Sequence, residues 1–319
     1  MLEPAAFVHR PVSVRAEHLS AALPAFALAL MLGLIFWIQP RALSYFGINL
    51  LLNLSVPLIL AAMAQMLIIG LGDIDLSIGS FVGFVTCVVA VFLAPAPLLA
   101  AAILLAAIGV YAGTAMLIFY RSLPSIVVTL GMSFVWLGLS LLILPSPGGL
   151  APDWLTGLLD AKPPLLPLPV WIAVLAAACG HWAIMRSSYG VILRGAGANP
   201  KAVARSGWSL VRVRVVVYAA AGCLAVLAGI ALSAITTSGD PNIAPAYTLL
   251  SIGAVILGGG SFTGGIISPV GVVIGAMTFS LAASLLSFLQ LPPVWQTGAQ
   301  GAILFLVLAG RVLVQRRKP

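Results

Sequence analysis

The sequence predicts an all-α polytopic membrane protein with about ten transmembrane helices, some of them short or broken. Of its 319 residues, 62% are hydrophobic and only 7% are charged, and the mean hydropathy is +1.18. About a quarter of the residues in a typical soluble chain are charged, so this chain lacks the polar residues needed to cover a surface in water. A free cytoplasmic enzyme and a nucleic-acid-binding module are therefore excluded.

Apolar runs place the spans between residues 20 and 314, because a hydrocarbon core about 30 Å thick needs roughly 20 apolar residues per helix. They lie near residues 20–38, 48–70, 76–94, 97–119, 124–144, 168–186, 214–236, 246–260, 266–289 and 295–313. The eighth run is short and ends in Gly258-Gly259-Gly260, so we expect it to stop partway through the bilayer. Residues 1–19 and 315–319 form the two terminal tails.

The distribution of Lys and Arg predicts the orientation of these spans. With ten spans and a cytoplasmic amino terminus, only Arg41 and Lys162 of the 15 basic residues fall outside. Nine spans would place the basic run 311–318 outside, which the positive-inside rule disfavours. Both termini are therefore expected in the cytoplasm. The external acidic residues are then Asp153, Asp160 and Asp240.

Two connections are long. Residues 145–167 are rich in proline, which stiffens a loop, and form an expected external loop. Residues 187–213 form a basic cytoplasmic loop, the expected coupling loop. Within it, Asn199-Pro200 predicts a short helix with Asn as its cap and Pro at its first position, and Ser206-Gly207 predicts its end. This helix has basic and small apolar faces, so we expect it to contact a partner.

Asp73 and Asp75 are the only acidic residues inside or bordering a span in the apolar body. A carboxylate at that depth is costly and is a functional hypothesis by default. One interpretation is structural: Asp75 caps a helix beginning at Leu76 and accepts from the N–H of Ser77 or Ile78. The other is a direct role in solute or ion handling, and both stay open.

Three chemical alternatives are disfavoured by what the sequence lacks. Gly-Leu-Gly-Asp at 70–73 occurs in intramembrane aspartyl proteases, but their mechanism needs a facing carboxylate from another helix, and none is available. The glycine runs 195–201 and 258–265 contain no Gly-Lys pair, so no phosphate loop exists, and if the protein's work needs ATP, another subunit must supply it. The three isolated cysteines show no metal or disulfide spacing and are interpreted as small buried hydrophobes.

Polar residues inside the spans fit two roles that the sequence does not separate. They are consistent with a hydrophilic path or with interhelical hydrogen bonds. These residues are Asn53, Gln65, Thr86, Thr129, Ser133, Thr236, Gln296 and Gln300.

Four stretches together resemble the permease subunit of monosaccharide-type (ribose-type) ABC importers, within the branched-chain amino acid and ribose permease superfamily. They are DIDLSIGS at 73–80, LPSIVVTLGM at 123–132, GAGANPKAVARSGWSLVRVRVVVYAAAGCLAVLAGI at 195–230 and AVILGGGSFTGG at 254–265. The resemblance covers roughly residues 45 to 315. Asp73 departs from it, standing where the family commonly has glycine, and so does Trp208, where the family usually has isoleucine.

The resemblance implies a type II ABC importer-like permease in a bacterial inner membrane that moves a monosaccharide or sugar-like polar solute by alternating access. Its implied partners are a cytoplasmic ABC ATPase that uses ATP and Mg²⁺, a periplasmic sugar-binding protein and a second permease copy, identical or paralogous. The permease itself is expected to have no catalytic residue, metal or cofactor.

The resemblance also assigns candidate residues. The ATPase-coupling helix comprises Asn199, Ala202, Ala204, Arg205, Ser206 and Gly207. The membrane motif and possible translocation path comprise Asp75, Ser77, Gly79, Thr129, Gly258 and Gly259. The alternative function is a secondary transporter driven by an ion gradient, with Asp73 and Asp75 as its only acidic coupling candidates.

Overall fold

The computed structural model describes residues 14–290 and, after them, only residues 295, 298, 299, 301, 302 and 305, with side chains from residue 24 onward. The predicted tenth span, the predicted tail 315–319 and the first part of the predicted amino-terminal tail lie outside the continuous described stretch. Between residues 14 and 290 the regular structure is helical. The helices are α1 (Val14–Ile38), α2 (Tyr45–Asn53), α3 (Ser55–Gly70), α4 (Ile78–Val88), α5 (Pro97–Arg121), α6 (Ser125–Ile143), α7 (Asp153–Leu159), α8 (Leu168–His181), α9 (Ser188–Ala198), α10 (Pro200–Arg205), α11 (Leu210–Thr236), α12 (Pro245–Leu257) and α13 (Pro269–Phe288).

Five of the described helices are long and apolar enough to cross a membrane alone, namely α5, α6, α8 with its π-helical extension to Arg186, α11 and α13. The pair α2 and α3, bent by 42° between them, adds a sixth span if the two helices cross the membrane together. The bend follows from Pro57 in the first turn of α3, because proline lacks an N–H and clashes with the carbonyl four residues earlier. The chain is thus a polytopic membrane protein, and the count of ten spans stays a prediction.

Two predicted spans are too short for the bilayer as helices. The 13 residues of α12 extend about 20 Å at 1.5 Å per residue, and α12 ends at Leu257, directly before the glycine run. The 16 residues of α4 and its π-helical continuation to Leu93 extend about 24 Å. Both fall short of a hydrocarbon core about 30 Å thick. Like the predicted eighth span, α12 stops at Gly258.

The core forms around α3 and α11, which pack against each other. Every residue of α3 except Leu60 is buried, and α11 also packs on α4 and α5. By contrast, α5 and α6 present large apolar side chains outward, with Leu105 69% and Phe134 67% exposed. Such surfaces suit lipid rather than water.

The connections predicted to share one side of the membrane meet at the same end of the bundle. At one end, which we call the junction end, loop 71–77 contacts the first turns of α6 and α11, and the Gly265 N–H donates to the Gly70 carbonyl at 2.9 Å. At the opposite end, Gly148 and Gly239 exchange two backbone hydrogen bonds of 2.9 Å. This grouping supports the prediction of which loops share a side of the membrane, but it does not show which of the two ends faces the cytoplasm.

The connection between α11 and α12 packs along α4. Residues 237–244 run back along α4, where the Asp240 N–H donates to Thr86 Oγ1 at 3.3 Å. The absence of side chains at Gly79 and Gly83 lets this segment lie directly on α4, since a Cβ at Gly83 would come within 2.8 Å of the Pro241 carbonyl. Asp240 therefore lies beside α4 within the helical body.

The cysteines differ from the prediction in two of three cases. Cys87 is buried, as expected, but Cys179 and Cys223 are exposed on the surfaces of α8 and α11. A small, weakly polar thiol fits a lipid-facing helix surface as well as a core, and the apolar runs around these residues did not distinguish the two.

Candidate functional site

The motif loop, residues 71–77, is the polar centre of the described structure. The N–H groups of Leu71 and Asp73 both donate to the Ile68 carbonyl, at 3.0 and 3.2 Å, and reverse the chain after α3. Gly72 lies at a φ of +82° in this turn, a conformation that glycine adopts without the steric cost of a Cβ. The rest of the loop then passes back beside α3, into the interior.

Asp73 forms an ion pair with α11. Its Oδ2 lies 3.2 Å from Arg214 Nη1 and accepts a hydrogen bond of 3.2 Å from the Tyr218 hydroxyl. The aspartate is 8% and Tyr218 0% exposed. Removing a charge from water is costly unless it is paired and hydrogen-bonded, and Arg214 and Tyr218 meet both conditions.

Asp75 is completely buried and hydrogen-bonded at both carboxylate oxygens. Oδ1 accepts from the Ser77 N–H at 2.6 Å and the Ser77 hydroxyl at 2.7 Å, and Oδ2 accepts from the Tyr111 hydroxyl on α5. Gln65, in the amide orientation that satisfies both its polar atoms, pairs with the N–H and carbonyl of Asp75 at 3.2 Å each. The carboxylate thus connects the N-cap residue of α4 to α5, while the Asp75 backbone is held by α3.

The helix-cap interpretation of Asp75 is half right. The predicted acceptor contact with the Ser77 N–H is present, but α4 begins at Ile78 and its N-cap position is Ser77. Asp75 lies two residues before the cap. The prediction failed on the boundary because the loop is longer than the sequence pattern suggested and is held by other helices.

Thr129 and Ser125 on α6 hold the motif loop by its backbone. Thr129 Oγ1 accepts from the Leu76 N–H at 3.0 Å, and Ser125 Oγ accepts from the Ile74 N–H at 3.1 Å. Thr129 is 2% exposed. Thr129 therefore bonds a loop rather than a second helix, and its role in a hydrophilic path stays a prediction.

The remaining predicted motif residues are glycines, two of them at close contacts and the third, Gly259, at a positive φ. A side chain at Gly258 would overlap the backbone of Gly271 at the start of α13, and one at Gly79 would come within 2.7 Å of Thr248 Oγ1 on α12. Gly259 adopts a φ of +105°. These positions let α4, α12 and α13 approach closely, and the structure gives them no polar side-chain role.

At the junction end, glycines bring three parts of the chain into contact: the last turn of α9, the turn at Gly70–Gly72 that opens the motif loop, and residues 258–268. We call this contact the glycine junction, and the motif loop and residues 258–268 the two unwound segments. A side chain at Gly197, in the last turn of α9, would overlap the Gly70 carbonyl, and one at Gly264 would come within 2.9 Å of the Gly72 N. The Gly265 N–H completes the junction by donating to Gly70. Backbone therefore contacts backbone among three parts of the chain that are distant in sequence.

The predicted coupling helix is present as α10. Asn199 caps it, with Oδ1 accepting from the Ala202 N–H at 3.1 Å, and Gly207 follows it at a φ of +89°. The six predicted coupling residues are exposed, while Val203 turns inward against α9. We call residues 199–207 the coupling segment.

Sequence reasoning missed the aromatic hydroxyls and the cation that hold the carboxylates. Tyr111 lies well inside a span, whereas Tyr218 and Arg214 lie near the start of another, where Arg214 was counted only as a loop charge. The signal that existed was a polar aromatic group deep in an apolar run, because a buried tyrosine hydroxyl needs a partner. Trp136 packs beside them, with ring centroids 4.8 Å from Phe81.

Comparison with known proteins places this geometry in context. Residues 47–308 match the family model described as the permease component of branched-chain amino acid transport systems. The L-arabinose ABC transporter permease protein AraH of Azospirillum brasilense is 28% identical over 265 residues, or 81% of this chain and 77% of AraH.

Two further relatives match over different lengths. The autoinducer 2 import system permease protein LsrC of Escherichia coli O9:H4 is 28% identical over 79% of this chain and 75% of LsrC. The xylose transport system permease protein XylH of Haemophilus influenzae is 32% identical over 143 residues, which is 45% of this chain and 38% of XylH. No solved structure gives a significant match.

Proposed function

This chain belongs to the family of permease components of branched-chain amino acid transport systems, and we propose that it is the transmembrane subunit of an ATP-driven importer of a monosaccharide or sugar-like polar solute. Two of the relatives described above are named for sugar transport, one for xylose and one for L-arabinose. The bacterial inner membrane is the proposed location, with ten spans and both termini in the cytoplasm.

In the proposed mechanism, the glycine junction passes a movement of the coupling segment on to the rest of the permease. The coupling segment projects from α9, and the backbone of α9 at Gly197 contacts both Gly70, which directly precedes the motif loop, and Gly264 in residues 258–268. A backbone contact has no flexible side chain to absorb a displacement, so a push on α10 would move both unwound segments together. Such a movement could shift the two-state equilibrium between external and cytoplasmic access.

The proposed partners follow from this arrangement. The exposed coupling segment would dock on a cytoplasmic ABC ATPase, which binds ATP and Mg²⁺. A periplasmic sugar-binding protein would deliver the solute, and a second permease copy would complete the path. The loop 187–213 contains no acidic residue, so it would favour an acidic surface on the ATPase.

The ion-driven alternative is less well supported by the carboxylates. A coupling site must release and rebind its ion, whereas Asp73 is paired with Arg214 and Tyr218. Asp75 is already hydrogen-bonded at both oxygens, by Ser77 and Tyr111. These contacts favour a structural role for both residues.

The coupling role can be tested with two variants of the same side chain. We expect Asn199→Leu to lower uptake of radiolabelled xylose or L-arabinose in the assembled complex and to uncouple ATP hydrolysis from it, because the cap of α10 is lost. Asn199→Asp should keep near-normal uptake, since its oxygen still accepts from Ala202. Normal uptake by Asn199→Leu would contradict the coupling assignment.

The energy source needs a separate measurement. The purified chain alone, reconstituted in vesicles with a proton or sodium gradient, should not accumulate either sugar. Accumulation under those conditions would replace the proposal with the ion-driven alternative.

The orientation can be tested by cysteine labelling. In a cysteine-free background, Lys201→Cys should react only with reagent on the cytoplasmic side, and Asp160→Cys only from outside; both residues are exposed. Removing Cys179 and Cys223 is necessary because both are exposed as well. The reverse pattern would invert the topology.

A further inference from the structure

A deep groove opens at the junction end, on the side of α11 away from the motif loop. Its volume is about 840 Å³, and its walls come from the end of α8, the start of α9, residues 207–209 and the first turns of α11. Four of its side chains are large, apolar and exposed, namely Trp182 (70%), Tyr189 (75%), Trp208 (44%) and Val216 (63%). It does not include the motif loop or the predicted path residues.

The groove changes character along its length. Where α11 begins, directly after the coupling segment, the groove is lined by Ser209 and Arg212, and further along α11 it is lined by Val216 and Ala220. From Arg212 to Ala220 the helix rises about 12 Å. A polar, cationic mouth that continues into an apolar channel has the same order of chemistry as a phospholipid headgroup followed by its acyl chain.

The positive charge at the mouth of the groove favours a lipid with an anionic headgroup. Among the residues that the structure describes, Arg212 is the only charged one that lines the groove, and the surrounding loop 187–213 carries basic but no acidic residues. Arg214, two residues further on, points to a different side of α11 and pairs with Asp73. Arg212 is therefore directed to the groove while its neighbour belongs to the motif loop.

The aromatic rim supports a lipid occupant. The rings of Tyr189 and Trp208 meet edge to face, with centroids 6.5 Å apart, and Trp182 also lines the groove. Tyrosine and tryptophan are enriched where headgroups meet the hydrocarbon core. Basic pockets between helices on the cytoplasmic side suit anionic headgroups.

We propose that this groove is a binding site for one anionic phospholipid, with its phosphate at Arg212 and Ser209 and an acyl chain along Val216 and Ala220. The site lies between α8–α9 and α11, so an occupied groove would fix the position of the coupling segment. The proposal rests on the proposed orientation, but not on the transported solute.

The test measures lipid retention by native mass spectrometry of the purified full chain. With phosphatidylglycerol and phosphatidylcholine supplied together, we expect the wild type to retain phosphatidylglycerol about fivefold better, the ratio equivalent to about 1 kcal/mol for one basic residue near an anionic headgroup. Arg212→Gln should abolish this preference, and Ala220→Phe, which fills the apolar end, should lower retention of both lipids.

Two variants at exposed positions that do not line the groove serve as matched controls, Arg186→Gln and Val191→Phe, and both should retain the wild-type preference. Thermal unfolding in detergent confirms that each variant is folded. Equal retention of the two lipids by the wild type, or a preference that survives Arg212→Gln, overturns the proposal. So does a dimer that forms through the groove and is lost in Ala220→Phe while lipid retention is unchanged, because the occupant is then a second copy. None of these outcomes depends on sugar uptake, so they leave the proposed function untouched.

Discussion

The motif loop (71–77) and the glycine loop (258–268) both interrupt the helical path inside the body, but they are held in opposite ways. Side chains from four helices hold the motif loop: Gln65 on α3, Tyr111 on α5, Thr129 on α6 and Arg214 on α11. The glycine loop is held mainly by bare backbone, with Gly258 against Gly271 and Gly264 against Gly197.

Because of this difference, we expect the two loops to respond differently to amino-acid substitution. A hydrogen bond between side chains can be weakened in steps, because an isosteric residue often keeps part of it. A backbone-to-backbone contact leaves no room for even one methyl group, since the interior is close-packed. We therefore expect graded effects in the motif loop and abrupt ones in the glycine loop.

The most abrupt expected effect, from a single added methyl group, is that of Gly258→Ala. The added Cβ would overlap the backbone of Gly271 and Val272, neither of which can rotate away. Overpacking of this kind typically costs about 1–3 kcal/mol, and sometimes more. We expect a strongly lowered midpoint of thermal unfolding in detergent and a poor yield of monodisperse protein.

Gly109→Ala on α5 is the matched control, because a Cβ at Gly109 meets no atom within 4 Å. Alanine is the better helix former by about 1 kcal/mol, so this variant should be at least as stable as the wild type. Similar losses in both variants would show that glycine matters here for flexibility rather than close contact, and the comparison of the two loops would fail.

The second effect is a series at Asp75. Asp75→Leu leaves the Ser77 N–H, the Ser77 hydroxyl and the Tyr111 hydroxyl without their acceptor, at about 1–3 kcal/mol for each buried unsatisfied group. Asp75→Asn keeps an acceptor for Ser77 and should retain partial stability and uptake. Tyr111→Phe removes a single hydrogen bond and should cost least.

Thermal unfolding and sugar uptake, measured together, separate structure from charge in this series. A structural carboxylate predicts that stability and uptake fall in the same order, from Leu through Asn to Phe. A fully stable Asp75→Asn variant with no uptake at all would instead assign Asp75 a charge-dependent role and revive the ion-driven alternative.

The sequence predicted what is local. The start and end of α10, its Asn199 cap and the position of Gly207 follow from residue types within nine positions, and all are observed. The shortness of α12 and its end at the glycine run were also predicted from neighbouring residues, and both are observed. Each depends on backbone rules that act within one or two turns.

The contacts that define the site could not be predicted in this way. Asp73 pairs with Arg214, 141 positions away, and Gly70 meets Gly197 and Gly265 across three separate segments. Periodicity shows that a helix is buried but not which neighbour it faces. The same limit explains why the packing of residues 237–244 along α4 was not predicted.

The smallest expected effect is the coupling between Asp73 and Arg214. Arg214 keeps 25% of its side chain exposed and Asp73 keeps 10%, so solvent screens part of the attraction, and exposed pairs are worth roughly 0–1 kcal/mol. A double-mutant cycle with Asp73→Asn and Arg214→Gln should give a coupling free energy of about 1 kcal/mol. Arg186→Gln, an exposed arginine at the end of α8, replaces Arg214→Gln in the control cycle and should give none.

This small effect still tests the comparison, because the ion pair is the one charged link between the motif loop and the helix that follows the coupling segment. If the motif loop is held by separable side-chain contacts, removing the pair should leave the contacts of Asp75 intact. The cost of Asp75→Leu should then be the same with and without the pair, within the roughly 0.3–0.5 kcal/mol expected for independent sites. A much smaller cost of Asp75→Leu in the background lacking the pair would show that the two carboxylates act as one unit, and the motif loop would then fail as abruptly as the glycine loop.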